Sequence, residues 1–216
     1  MAHVLTGVIA SGAGVAVGFA ARRWRSSRAT STAFAAAATG KFCYQYPRPA
    51  VTVDTIIVSK PAAGAPAQLL LIKRKNPPFK DAWALPGGFV DESEGLDIAA
   101  ARELQEETSV DPSSVSLSQV GAFGDPGRDP RGWTITVAYA ALVPTTNLGV
   151  KAADDAKDAR WFDISALPAL AFDHKLVVRS SLRHLAKQPA AASVAGLAAA
   201  LDSAADKLEG PWQQQS

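Results

Sequence analysis

Residues 83–110 read WALPGGFVDESEGLDIAAARELQEETSV, and the fold and chemistry of the chain turn on this stretch. Two glycines come first, then an acidic loop, then a run with helical spacing from about Leu96 to Thr108 that carries Arg102, Glu103, Glu106 and Glu107. At about 100° per residue, Glu103 and Glu107 lie within roughly 40° of each other on a helix, with Glu106 about 60° to the other side of Glu103. The three carboxylates therefore share one face, and Leu96, Ala100 and Leu104 form an apolar stripe beside it. So dense a negative cluster repels itself unless it is solvated or holds a cation. Hard oxygen donors of this kind suit Mg²⁺ or Mn²⁺, usually together with the phosphates of a substrate.

A glutamate-rich helix face is ordinarily just solvated. The spacing argues for more than that: Gly88, five residues, Glu94, seven residues, Arg102-Glu103-Leu104, one residue, Glu106-Glu107. Even without Leu104, the six other fixed positions would arise by composition alone with odds on the order of 10⁻⁵. The stretch resembles the signature box of the Nudix hydrolases. The resemblance implies that Glu103, Glu106 and Glu107 hold the metal, that Arg102 buttresses them by ion pairing, and that Glu94 is a support residue. One position departs from the pattern: Ser109 stands where the family usually has glycine. Ser in the left-handed conformation that ends a helix costs roughly 1 kcal/mol, so the departure touches the cap and none of the carboxylates.

At 216 residues the chain can hold one ordinary domain and an extension, and 48% hydrophobic residues suffice for a core. A net charge of +2 argues against a dedicated nucleic-acid binder. Cys43 is the only cysteine, which excludes an intrachain disulfide and a cysteine zinc cluster. Basic residues are concentrated before Asp54, where there is no acid but six arginines and lysines from Arg22 to Arg48. Residues 1–40 read as a leader outside the fold, and two accounts compete. A basic, Ser/Ala/Thr-rich leader suits an organelle transit peptide, mitochondrial or chloroplast. The apolar residues 4–21, followed by Arg22-Arg23, suit instead a membrane anchor; a cytosolic tail is the third alternative.

Residues 41–188 form the expected domain. Ala50–Val58 and Gln68–Lys73 read as a strand pair around the turn PAAGAP, and Thr134–Val143 and Val115–Phe123 as further strands. Gly87 and Gly88 let the backbone pack closely and present its N–H groups to phosphates. Arg74, at the end of the second strand, stands just upstream of the box and is a candidate for substrate contact. Gly124–Gly132 (GDPGRDPRG) is a turn-rich loop in which Asp125, Arg128 and Arg131 suit ribose hydroxyls and phosphates. This loop, with LLIKRKNPPFKDAWALPGGFVDE, resembles the ADP-ribose pyrophosphatase branch of the Nudix proteins. In related enzymes an acid ahead of the Trp161 strand reaches the metal site; Asp155 matches best and Asp158 is the other candidate. Asp173 reads as the N-cap of a helix near Lys175–Lys187, and His174 as structural. Residues 189–216 are an Ala-rich extension with a helix over Ala190–Leu208, free to pack on the domain, on a second subunit or on nothing.

The order of elements suits an α/β fold, and the resemblance implies the Nudix α/β/α sandwich around a mixed sheet. It implies a Mg²⁺-dependent (or Mn²⁺-dependent) pyrophosphatase acting on a nucleoside diphosphate linked to another moiety, ADP-ribose above all, giving AMP and ribose 5-phosphate. Nucleotide sugars, NADH and oxidised nucleotides are alternative substrates. A non-catalytic ADP-ribose sensor and a membrane-tethered scaffold are alternatives of another class. The family's homodimer is left open by the sequence.

Overall fold

Strand β1 (Ala50–Ser59) is the axis of the molecule. It runs parallel to β6 (Thr134–Val143) over ten residue pairs, from Ala50↔Thr134 to Ser59↔Val143. Its other edge is shared: β2 (Gln68–Arg74) meets it at Val58↔Leu69, and β4 (Gly87–Phe89) pairs antiparallel with Thr52–Asp54. β3 (Trp83–Ala84) and β7 (Ala156–Asp163) flank β2, and β5 (Ser118–Phe123) flanks β6, completing a seven-stranded mixed sheet. These elements belong to a computed structural model that describes residues 44–60 and 65–210. The leader, Cys43, most of the PAAGAP turn and the last six residues lie outside the described residues.

The period-two alternation of strands sorts the core onto both faces of the sheet. Val53, Ile57, Leu70, Val137, Tyr139 and Ala141 point to one face, where helix α1 (Leu96–Thr108) lays down Ala99, Ala100 and Leu104. Ile56, Val58, Leu69, Leu71, Ala138 and Ala140 point to the other, against Val177, Val178, Leu182 and Leu185 of α2 (His174–Ala186). Both faces being covered is why β1 is buried from Thr52 to Ser59. Each Leu or Ile so buried contributes roughly 1.5–3 kcal/mol. The result is the α/β/α sandwich with a mixed sheet.

Several expectations from sequence need correction. The box helix has the expected bounds, but Leu96 is 36% exposed, and the buried side consists of Ala99, Ala100, Leu104, Glu107 and Thr108. The strand expected from Val115 begins only at Ser118, because Asp111 caps a short 3₁₀ turn at Pro112–Ser114. The single C-terminal helix is two, α3 (Pro189–Ala192) and α4 (Leu197–Lys207), broken where Gly196 takes φ 76°. The extension packs on the domain: Leu197, Leu201, Ala204 and Ala205 are buried in the same cluster as α2. Arg183 reaches across to Asp206 and Glu209 at 3.1 and 2.8 Å. Ser109 ends α1 in the left-handed conformation (φ 59°), with its N–H donating to the Gln105 carbonyl at 2.8 Å.

Candidate active site

The box is built on two segments that meet edge-on, the Leu85–Phe89 backbone and the face of α1. The backbone passes so close that Gly87 admits no side chain, and one on Gly88 would displace the Glu103 carboxylate. A Cβ on Gly87 would collide with the Val53 carbonyl oxygen, and one on Gly88 would stand 2.5–2.7 Å from the Glu103 carboxylate atoms. The Gly87 N–H donates to Glu107 Oε2 at 2.9 Å. Arg102 is the hub of the acidic face. Its Nε and Nη2 each donate to Glu94 at 2.8 Å, and its Nη1 donates to Glu103 Oε1 at 2.8 Å and Glu106 Oε2 at 3.0 Å. Its Nη2 also meets the Phe89 carbonyl at 3.1 Å, so one guanidinium joins the loop, the strand and the helix.

Position sets the electrostatics. Glu94, gripped by Arg102 and accepting the Asp91 N–H, has its pKa drawn down to about 2. Burial pushes Glu103 up, against the pull of Arg102. Glu107 is only 6% exposed, and burial raises it to about 8 although the Gly87 N–H favours its anion. The sign of the linkage follows. Glu107 binds its proton more tightly folded than unfolded, so stability present below its ordinary value near 4.5 is lost as pH rises through about 8. Buried His174, its pKa lowered from 6.5, pulls the other way below that value. In chelator, between pH 6.5 and 8, the melting temperature should therefore fall as pH rises. At most about 1.4 kcal/mol is at stake per pH unit. Calorimetry of Glu107→Gln should show a flatter slope; an unchanged slope would contradict the assignment.

The carboxylates of Glu103, Glu106, Glu107 and Asp155 line one cavity of about 300 Å³. Arg74, Lys75 and Arg131 line the same cavity. Arg74 is held by its Nε, which donates to the Pro78 carbonyl at 2.8 Å, and its guanidinium lies 4.9 Å from the Phe172 ring centroid. Burial, then neighbouring Arg131, lowers its pKa, which Glu107, Asp129 and Asp155 oppose. Arg131 is wedged between Phe89 and Phe172, 4.7 and 5.3 Å from their centroids, and pairs with Asp129 at 2.7 Å. Asp155 Oδ1 accepts from Asn76 Nδ2 at 3.0 Å. Asp158, the alternative acid, lies within β7 and pairs with Arg160 at 2.6 Å.

A second cavity of about 40 Å³ adjoins Gly87 and Gly88 and is lined by Thr52, Asp54, Arg128 and His174 among others. The GDPGRDPRG loop borders it through Arg128, Asp129 and Arg131. Arg128 is 4% exposed, and its Nε and Nη2 clasp the two oxygens of Asp173 at 2.8 and 2.7 Å. A guanidinium so paired holds the loop, with two of its five N–H groups committed to Asp173. The Asp125 side chain is exposed and lines neither cavity. Asp173 does not cap α2 with its side chain, because Arg128 takes the carboxylate. Missed from sequence were Asp54, Phe89 and Phe172. Asp54 left a signal: an acid in the middle of an apolar, β-branched strand must have partners. It accepts from Thr136 Oγ1 at 2.7 Å.

Among the described residues no three His, Cys, Asp or Glu side chains converge into a metal cage of protein alone. The donor set still fits a hard cation. Mg²⁺ is commonly held by one or two carboxylates, water and substrate phosphates, and here Glu103, Glu106 and Glu107 offer the carboxylates on one wall of an open cavity.

Comparison with known proteins agrees with this geometry. An ADP-ribose pyrophosphatase of Methanocaldococcus jannaschii is 44% identical over 138 residues, 64% of this chain and 76% of that one. The ADPR responsive transcriptional repressor NtrR of Acinetobacter baylyi is 48% identical over 100 residues, 45% of this chain but only 38% of the repressor. The solved NUDIX domain of Shewanella oneidensis NrtR complexed with ADP ribose superposes with a TM-score of 0.57 at 32% identity, covering 65% of this chain and 90% of that one. The NUDIX domain profile matches residues 48–185, and with this fold and a complete glutamate box on α1 the chain belongs to the Nudix family, as a Nudix hydrolase.

Proposed function

We propose that the chain hydrolyses the diphosphate bond of ADP-ribose, with Mg²⁺ or Mn²⁺, to AMP and ribose 5-phosphate. One observation carries the reading: the large cavity brings the carboxylates of α1 together with Arg74 and Arg131. A diphosphate held by these arginines beside those carboxylates needs a cation. Each approach of a phosphate to a carboxylate at about 4 Å costs roughly 4 kcal/mol at an effective dielectric near 20. Bound there, a divalent cation neutralises the phosphates and lowers the pKa of a water. This chain's residues supply the rest. Arg74 and Arg131 hold phosphate oxygens and take up charge on the departing phosphate. Glu103, or Asp155 on the rim, takes the proton of the attacking water. The water oxygen bonds to one phosphorus as the bridging P–O bond breaks, and the other phosphate leaves with its sugar. Arg102 keeps the glutamates apart and aligned.

The choice of ADP-ribose is supported by the pyrophosphatase from M. jannaschii and by the ADP ribose in the NrtR domain. The similarity to the A. baylyi repressor favours a second reading, a domain that binds ADP-ribose without cleaving it. The test is a panel of ADP-ribose, nucleotide sugars, NADH and 8-oxo-dGTP at equal concentration with Mg²⁺, products resolved by chromatography. AMP should appear fastest from ADP-ribose. Faster cleavage of another compound would keep the chemistry and overturn the substrate.

A further inference from the structure

His174 lies outside the acidic wall and is only 5% exposed, yet it is bonded to the segment that shapes that wall. Its Nδ1 accepts the Leu85 N–H at 2.9 Å. A backbone N–H can only donate, so the imidazole proton sits on Nε2, which faces Asp54 Oδ1 at 3.5 Å. Burial keeps the ring neutral. Leu85 is where the chain leaves the β3 ladder and crosses to β4, so its N–H has no strand partner and is buried. The crossing is then fixed residue by residue. Pro86 O accepts from Thr55 N–H at 2.8 Å and Thr55 Oγ1 at 3.1 Å, and the Gly87 N–H meets Glu107 at 2.9 Å. Next to His174 in sequence, Asp173 clasps Arg128, so the start of α2 fastens both this crossing and the GDPGRDPRG loop.

We propose that His174 is a positioning residue for the hydrolysis set out above, fixing the Leu85–Gly87 backbone so that Gly87 N–H aims at the Glu107 carboxylate. The proposal rests on that functional reading for its effect on turnover and on the hydrogen bonds alone for its effect on the backbone. An ordinary core histidine would matter for stability and for nothing two residues beyond Leu85.

Two variants of the full chain separate these roles. Asn carries its acceptor oxygen near the position of Nδ1, whereas Gln carries its amide near Nε2, toward Asp54. His174→Gln should raise amide exchange at Leu85 and at Gly87 together, by about 10-fold or more, and His174→Asn should largely restore both. With ADP-ribose and Mg²⁺, His174→Gln should lower kcat roughly 30-fold with KM within about two-fold, and His174→Asn should recover most of it. Exchange rising at Leu85 alone, or equal kcat in the two variants, overturns the proposal. Should neither variant fold, the imidazole ¹⁵N spectrum of the unsubstituted chain decides: the Nε2–H tautomer supports the arrangement and the Nδ1–H tautomer overturns it. Failure of the unsubstituted chain to cleave ADP-ribose would sink the substrate assignment and leave the exchange comparison to judge the relay.

Discussion

Glu106→Gln should lower kcat on ADP-ribose by about 10³-fold, equivalent to about 4 kcal/mol of transition-state stabilisation, and leave the fold intact. The carboxylate is 44% exposed and takes one ion pair, from Arg102 at 3.0 Å, so its removal opens no cavity and strands no buried charge. What it removes is a full negative charge from the wall where the cation and diphosphate would meet. The amide keeps the size and one hydrogen-bond acceptor, so a loss reports charge and not shape. The melting temperature should move by no more than about 2 °C, since exposed ion pairs contribute roughly 0–1 kcal/mol. Near-normal turnover in this variant would remove the acidic face of α1 from the chemistry.

The second large effect is on stability. Arg128→Ala should destabilise the domain by about 3–5 kcal/mol, because it leaves Asp173, itself 2% exposed, as a buried carboxylate without its partner. Asp54, 3.9 Å from the same guanidinium, loses a compensating charge as well. For a domain of this size the melting temperature should drop by roughly 10 °C. This separates two roles for one residue. A substrate-reading arginine would raise KM and leave the melting temperature alone; the arginine that pins a loop does the reverse. Asp125→Ala, in the same loop but exposed, is the control and should change neither quantity appreciably.

These contrasts show what was legible in the sequence. The bounds of α1 were legible because Gly95 and Ser109 flank an uninterrupted helical period, and the shared face of the glutamates follows from 3.6 residues per turn. Strand β6 was legible because its alternation is clean. The short strands β3 and β4 were not, since two or three residues carry no period; β4 is set by the close approach of Gly87 and Gly88 to β1, and β3 by its ladder with β2. The partners of Arg128 were hidden for a different reason. An arginine in a turn-rich loop looks solvated or ligand-bound, and Asp173 lies 45 residues away in sequence. Asp54 marked a buried polar cluster without indicating its members. The break at Gly196 was obscured by the alanine-rich run around it, whose helical propensity continues on both sides.

Metal-dependent hydrolysis is tested on the 216-residue chain, stripped of metal by chelator and mixed with ADP-ribose. Mg²⁺ is then added while AMP and ribose 5-phosphate are followed by chromatography. No product should form before the addition, and afterwards AMP and ribose 5-phosphate should appear in equal amounts, with this release lost in Glu106→Gln. Tight binding of ADP-ribose with no AMP at any Mg²⁺ or Mn²⁺ concentration would contradict metal-dependent hydrolysis and make the domain a sensor of the same ligand.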